Sequence, residues 1–336
     1  MNKFKFYFIV TIATVTLFSC SKNDSATIEP PRDFAVQYAT DLINIEQYLN
    51  TFSITVTNDP GATDDQDVVF TKITDPATQP SIMSYKDNLG YPRLTSRDVP
   101  LHGIVYKLYY LVLREGSGSK PCNVDGVLTS YRGDYLEQIT ADKVTTLTAT
   151  KFEELKFPQT YLSLYSTITG WGEIFPQFKT GTYASNPNGT VSYNDFGAGV
   201  MFIPSGLAYY NYGSGTIPAY APLVFSFKLY EIQRLDQDAD GIFSYQEDKN
   251  GDGYVYDMRD LVKYPTTTPP TVNPDDTEAD GIPDFLDVDD DGDNYTTKLE
   301  LKKPDGTYHT FETIPSCSGQ TVKRHLTASC KPPYQD

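Results

Sequence analysis

Apolar side chains fall at helical spacing once, early in the chain. Between Asp33 and Asn50, Phe34, Tyr38, Leu42 and Leu49 form a stripe with Ala35, Ala39 and Ile43 beside them. That pattern predicts a helix with Asp33 as its N-cap after Pro30-Pro31. Docking on a larger domain accounts for such a stripe; a dimerisation arm, giving an oligomer through this helix, is the alternative. Over 53–98 short extended runs are broken by Asn58-Asp59-Pro60-Gly61 and Asn88-Leu89-Gly90, which predicts a small β-containing extension. The pattern then changes to strands at 104–113, 127–131, 200–203 and 223–230, with Gly116-Ser117-Gly118 as a turn. Residues 172–179 read as a short helix despite Pro176, and 134–158 and 181–198 read as irregular. Many strands around one helix predict an α+β domain with an antiparallel sheet.

Two other stretches break the globular pattern. At the start, Lys3 and Lys5 precede an apolar run of 13 residues, 6–18, which is too short to span a bilayer. It ends in Leu17-Phe18-Ser19-Cys20, which resembles a bacterial lipobox. The resemblance implies cleavage before Cys20 and acylation of its thiol and amino group, anchoring the chain to a lipid membrane. An ordinary secretory signal with an incidental cysteine is the alternative. Ser21-Lys22-Asn23-Asp24-Ser25 is a polar tether, similar to the surface-export signals of Bacteroidetes lipoproteins but with one acid.

The second stretch is acidic. The 336 residues carry 44 acids and 27 bases, a net charge of −17; 19 of the acids and four of the bases lie in 236–300, so −15 sits there. Such a balance argues against a nucleic-acid partner, since phosphates are neutralised by Lys and Arg. Aromatics make up 13% of the chain, so it has the means to build a core. With three histidines and four cysteines, most nucleophilic and metallo-hydrolytic chemistries lack parts. Cys317 and Cys330 are expected to pair, leaving Cys122 free, in an oxidising compartment; a zinc site from Cys317, His325 and Cys330 matches no familiar spacing. The organisation expected is a signal over 1–19, a tether and helix/β extension over 20–98, a strand domain over 99–233, acidic repeats over 234–303 and a tail over 304–336. A Thr/Pro stretch, 264–274, divides the acidic segment, and such a linker is expected to insulate the sheet domain from it.

Five motifs in the strand domain fall in a known order. Gly116-Ser117-Gly118, then Val127 to Gly133, fit the first two strands of FKBP-type peptidyl-prolyl isomerases. Thr167-Ile168-Thr169-Gly170-Trp171-Gly172-Glu173 resembles that family's helix entry. Ile203-Pro204-Ser205-Gly206-Leu207-Ala208-Tyr209 and Ile217-Pro218-Ala219-Tyr220-Ala221-Pro222-Leu223-Val224-Phe225 resemble its later strand-and-loop segments. The resemblance implies a twisted antiparallel sheet wrapped on a short helix, with an apolar cleft between them. It implies further that Trp171 floors the cleft, Ile168 offers its N–H to a substrate carbonyl, and Tyr209 supplies a hydroxyl above. Tyr131, Ile217 and Phe225 would be walls, and Phe152-Glu153 stands where the family has Phe-Asp. No cofactor is implied for catalysis. An X–Pro bond turns slowly because twisting it breaks amide resonance, and no proton or nucleophile is required.

The acidic segment repeats a 12-residue register. Asp236, Asp238, Asp240, Ile242, Ser244 and Glu247 fit a calcium loop, in which alternate acids, one carbonyl and a terminal Glu supply oxygens. Asp276, Glu278, Asp280, Ile282, Asp284 and Asp287 form another. So do Asp289, Asp291, Asp293, Tyr295, Thr297 and Glu300, with Asn294 in glycine's place. Asp248, Asn250 and Asp252 begin one more, but Arg259 holds its twelfth position. Without flanking helices the segment resembles thrombospondin type 3 repeats, and structural calcium is expected; a solvated acidic spacer is the alternative. Together these readings predict a lipid-anchored isomerase of the bacterial envelope, probing proline-containing exported polypeptides at the outer membrane. A catalytically weak FKBP-like chaperone on a calcium-stabilised stalk is the second reading, and a purely structural calcium module the third.

Overall fold

Helix α1, Phe34–Thr51, begins where Asp33 Oδ1 accepts from the N–H groups of Ala35 and Val36 at 2.9 and 3.1 Å. The computed structural model describes residues 30–266, 270 and 272–334, so the signal 1–19 and Cys20 lie outside it. The buried face of α1 is Gln37, Asp41, Ile45, Tyr48 and Leu49. This differs from the expected stripe: Ala35, Ala39 and Ile43 are exposed. Two polar side chains take the inner face because both find hydrogen bonds there, described below.

The remaining elements are β1 (Phe52–Val56), β2 (Val68–Lys72), β3 (Arg93–Leu101), β4 (Ile104–Arg114), β5 (Gly126–Ala141), β6 (Val144–Leu155), β7 (Leu162–Ser163), α2 (Thr169–Ile174), β8 (Thr182–Ser185), β9 (Val191–Asn194), β10 (Gly197–Ile203), β11 (Leu223–Gln233) and α3 (Thr297–Glu300). The main sheet is antiparallel in the order β3-β4-β10-β11-β5-β6, with β7 on β5; β1-β2 and β8-β9 are separate hairpins. The α+β class expected from the sequence is the class observed. Because β3 pairs with β4 along its whole length, the expected boundary at 98/99 falls inside a strand.

The stretch 134–158 is no irregular insertion. It is the long β5-β6 hairpin, which turns at Asp142 and Lys143 with φ of 51° and 66°, the paired left-handed conformation of a tight hairpin turn. Its outer part carries Thr, Lys and Glu and is largely exposed, so apolar alternation does not announce it. Likewise 181–198 holds the β8-β9 hairpin. Helix α2 starts earlier than expected, at Thr169, and Pro176 sits in the 3-10 turn Phe175–Gln177 that follows.

All seven residues of β10 are buried, since the sheet is covered on both faces. On one face Trp171, Ile174, Phe175 and Phe178 pack on Met201, Ile203, Phe225 and Phe227. On the other, Ile45, Tyr48 and Leu49 of α1 pack among Val200, Phe202 and Val224. Helix α1 therefore docks on its own chain's sheet.

The acidic segment is not a detached stalk, and this corrects the expected insulation. From Asp33 onward the chain forms one unit. Val255 and Phe285 share a small core with Cys122 and Val124. Asn123 Nδ2 donates to the Val255 carbonyl at 2.8 Å, and Val255 N–H donates back to Asn123 Oδ1 at 2.9 Å. A disulfide joins Cys317 to Cys330, with Cα atoms 6.0 Å apart. Cys122 is free and buried, which pushes its thiol up to about 12.

Candidate functional site: an aromatic cleft beside helix α2 and a set of acidic loops

Trp171 is buried on the short helix α2. Gly170 makes this possible: a Cβ there would lie 2.6 Å from Ile203 Cγ2, so the helix backbone rests directly on β10. Three rings surround the indole. Tyr131 meets it edge-on at 5.0 Å between centroids and 83°, Phe225 at 5.2 Å and 87°, and Phe175 is tilted at 5.2 Å. Phe152 stands perpendicular to Phe225 at 5.6 Å. Such edge-to-face pairs set ring positions more tightly than aliphatic packing would.

Phe152 arrives there through a bulge. Gly133 of β5 pairs with Glu153 and Asp134 with Lys151, so Phe152 is an extra residue in β6. A bulge re-aims its side chain, and Gly133 leaves the room, because a Cβ there would come 2.4 Å from Phe152 Cζ and 2.8 Å from Phe225 Cε1. Glu153 is exposed on the same bulge; burial first, then this neighbouring carboxylate, raises the Tyr131 phenol above its ordinary range. Ile168 precedes α2 in extended conformation, φ −63° and ψ 145°, so its N–H stands outside the helix's own ladder. Ile217 is buried in the tight turn it closes with Ser214 and belongs, with Trp171 and Phe225, to one apolar cluster. Ile168, Tyr131, Phe152 and Tyr209 pack against that cluster. Of the residues the family resemblance singled out, only Glu153 stands outside this cluster and its packing neighbours.

Sequence reading missed what holds the Tyr209 loop. Asp41, fully buried on α1, accepts from Ser205 N–H at 2.7 Å, Ser205 Oγ at 2.6 Å and Gln37 Nε2 at 2.6 Å. Gln37 also donates to the Tyr220 carbonyl at 3.3 Å. Phe34 stacks between His102 (3.8 Å) and Tyr210 (4.3 Å). The turn Ser205–Leu207 and the strained Tyr210 (φ 45°) are thereby clamped from α1. The signal in the sequence was a Gln and an Asp four apart on the inner side of an amphipathic helix.

The acidic loops share one turn. Gly241 N–H donates to Asp236 at 3.2 Å, Gly253 to Asp248 at 2.7 Å, Gly281 to Asp276 at 3.0 Å and Asn294 to Asp289 at 2.9 Å. Asn294 takes the left-handed conformation, φ 73°, that glycine supplies elsewhere. Carboxylate oxygens converge within 4.8 Å in Asp236/Asp238/Asp240, Asp276/Glu278/Asp284, Glu278/Asp280/Asp287 and Asp289/Asp291/Asp293. Burial, and after it a neighbouring carboxylate, pushes Glu247 up to about 10 and Asp238 and Glu278 to about 8. Buried oxygens of Asp238, Asp240, Glu247, Glu278, Asp289, Asp291, Asp293 and Glu300 have no hydrogen-bond partner. An all-oxygen set of this kind suits a hard cation such as calcium. Ser244 departs from the expected ligand set, for its hydroxyl is engaged by Gln237. The loop from Asp248 brings two carboxylates and Asn250, and its Arg259 is turned to Asp257 at 2.7 Å.

The family described as BamM C-terminal matches residues 237–324. The FKBP-type peptidyl-prolyl cis-trans isomerase FkpA of Aeromonas hydrophila is 30% identical over 133 residues, 40% of this chain; the chain spans only 41% of that relative's length. A solved peptidyl-prolyl cis-trans isomerase from Pseudomonas syringae pv. tomato is 23% identical, with 45% of this chain and 87% of that one covered and a TM-score of 0.29. FkpA from Escherichia coli is 16% identical, with 69% and 74% covered and a TM-score of 0.31. Over part of its length, then, the chain is similar at modest identity to FKBP-type isomerases.

Proposed function

We propose that the chain is a peptidyl-prolyl cis–trans isomerase of the FKBP type, acting on X–Pro bonds of exported polypeptides. The observation that carries this reading is Trp171, enclosed by perpendicular Tyr131 and Phe225 rings, with Ile168 and Tyr209 on the same apolar cluster. A proline ring fits against such a floor by apolar contact alone. The twisted amide is less polar than the planar one and less dependent on water, so an apolar cleft favours it over either planar isomer. The Ile168 N–H would hold the substrate carbonyl, and the Tyr209 hydroxyl would steady the chain above. The Tyr131–Glu153 pair keeps the rim polar without placing an acid on the floor.

The acidic loops are read as structural calcium sites. Asp236, Asp238, Asp240 and Glu247 would hold one ion; Asp276, Glu278, Asp280, Asp284 and Asp287 would serve the next loop, and Asp289, Asp291, Asp293 and Glu300 the last. The Ile242, Ile282 and Tyr295 carbonyls stand at the register position of backbone ligands. The cation supplies cohesion there, since each one cancels two charges and ties distant oxygens together. Acylated Cys20 would anchor the protein in the bacterial envelope, at the outer membrane.

The test is isomerisation of an X–Pro peptide by the purified chain. Catalysis should fall more for Trp171→Ala than for Tyr209→Phe, because a single neutral hydroxyl is worth about 0.5–1.5 kcal/mol. Wild-type rates equal to buffer, with retained binding of proline peptides, would favour the chaperone reading.

A further inference from the structure

We propose that Asp290 is a cation ligand donated across loops: it leaves its own acidic loop and completes the first one, so that one divalent cation of the calcium class is held by Asp240, Glu247 and Asp290. This rests on the calcium reading of the loops and adds a residue that the 12-residue register does not assign.

Asp290 sits in the run Asp289-Asp290-Asp291. The odd members, with Asp293, point at one another and have oxygens within 4.8 Å. Asp290 faces the other way. Its carboxylate meets those of Asp240 and Glu247, again with oxygens within 4.8 Å. Two oxygens on opposite sides of one calcium ion stand about 5 Å apart, given metal–oxygen distances of about 2.3–2.6 Å, so three converging carboxylates fit one coordination sphere. The three are 2%, 5% and 1% exposed.

The second observation is that Asp290 has no partner. Neither carboxylate oxygen accepts a hydrogen bond, although its backbone N–H is fixed by Thr297 Oγ1 at 3.1 Å. Asp240 Oδ2 and Glu247 Oε1 are in the same condition. Lys298, whose charge acts on Asp240, donates its ammonium to the Ala239 carbonyl at 3.0 Å. Ile242 N–H reaches Asp240 Oδ1 at 2.7 Å, but the other oxygen of Asp240, Glu247 Oε1 and both oxygens of Asp290 stay without donors, and three buried carboxylates so placed repel one another strongly at low dielectric. A divalent cation removes that repulsion and satisfies all three, whereas a purely structural role leaves it standing. The consequence is a staple: the last loop is tied to the first by the ion.

The experiment compares the full-length protein in detergent with Asp290→Asn, using calcium chloride in titration calorimetry and thermal unfolding. Two controls lie outside the converging sets: Asp260→Asn, at an exposed acid, and Asp257→Asn, at a half-buried acid paired with Arg259. Asp290→Asn should bind one ion fewer, or bind its tightest ion at least tenfold more weakly, while both controls match the wild type in calcium binding. In chelator the Asn variant should melt higher than wild type, because a repelling charge is gone, yet gain less on adding calcium. A structural role for Asp290 would instead lower melting in chelator and leave the calcium gain intact, and that result would overturn the proposal. So would calcium binding unchanged in number and affinity. If the wild type binds no calcium, the reading of the loops itself fails.

Discussion

Replacing Asp41 should loosen the Tyr209 loop and, through it, the cleft. Its carboxylate takes three hydrogen bonds of 2.6–2.7 Å from Ser205 N, Ser205 Oγ and Gln37 Nε2, at a position with no solvent access. Bonds to a charged acceptor are worth about 1.5–3 kcal/mol each when lost, and orphaned buried donors add to that. In Asp41→Asn the amide oxygen keeps Ser205, but its NH2 then faces the Gln37 NH2. Gln37 must flip and release the Tyr220 carbonyl, for a net cost of about 2 kcal/mol. Asp41→Ala orphans every donor and should cost about 3–5 kcal/mol. For a chain of this size each kcal/mol lowers the melting temperature by roughly 2 °C. Hydrogen exchange of the backbone over 204–212 should rise in both variants, and kcat/KM for an X–Pro peptide should fall with KM rising. Ser205→Ala combined with Asp41→Asn should lose less than the sum of the two, as residues in one network do. Unchanged exchange over 204–212 in Asp41→Ala, with melting within a degree of wild type, would refute the clamp.

Gly133→Val should splay Phe152 from Phe225, because its Cβ would lie 2.4 Å from Phe152 Cζ; overpacking of 1–3 kcal/mol predicts a loss of roughly tenfold in isomerisation rate, and an unchanged rate would show that the bulge does not shape the cleft. His102, held down to about 4 against 6.5 by burial first and Lys263 next, with Asp260 opposing, stays neutral in the fold against Phe34 and the Tyr106 hydroxyl. Above pH 6.5 neither state takes a proton; as pH falls from 6.5 towards 4 the unfolded chain protonates first, so stability is lost over that window. The melting advantage of wild type over His102→Gln should therefore shrink between pH 7.5 and 4.5, and a difference independent of pH would contradict it. Cys20→Ala should release the protein from membranes into the aqueous fraction on detergent partition, and persistence in the membrane fraction would remove the anchor.

The strands with dense apolar sequence were legible, and so was the register of the acidic loops, because both depend on short-range spacing. Trp171 stood out between two glycines, of which Gly170 lays the helix directly on β10. What escaped reading depends on contacts distant in sequence. The β5-β6 hairpin is half solvated, so its pairing leaves no alternation in Thr, Lys and Glu. Gln37 and Asp41 lie on the inner side of α1, but what they bond to is unreadable until Ser205 and Tyr220 are brought to them. Asp290 reads as a spacer between two ligands until the first loop is folded beside it. The Thr/Pro run that divides the acidic segment suggested insulation of the sheet domain, because composition shows where a chain is extended, not which elements pack together.

The helix that carries Trp171 depends on the acidic segment behind it. At six residues α2 is too short to stand alone. Gly170 seats its inner side on Ile203; its outer side carries Glu173, 2% exposed, whose pKa is raised chiefly by burial. Arg97 of β3 meets that carboxylate at 2.8 Å, and Tyr256 donates to it at 3.0 Å. Tyr254 donates to the Glu173 carbonyl at 2.9 Å, takes Gln177 Nε2 at 2.6 Å and lies under the Arg97 guanidinium at 3.7 Å. Both tyrosines follow directly on the loop that Gly253 closes on Asp248. Removing them would open a buried ion pair to water on one side and leave Glu173 and Gln177 without these hydrogen bonds. The acidic segment is thus the outer wall of the Trp171 helix. A chain cut after Leu235 should keep its sheet yet lose the order of α2, so the smallest unit able to hold the cleft extends at least to Tyr256.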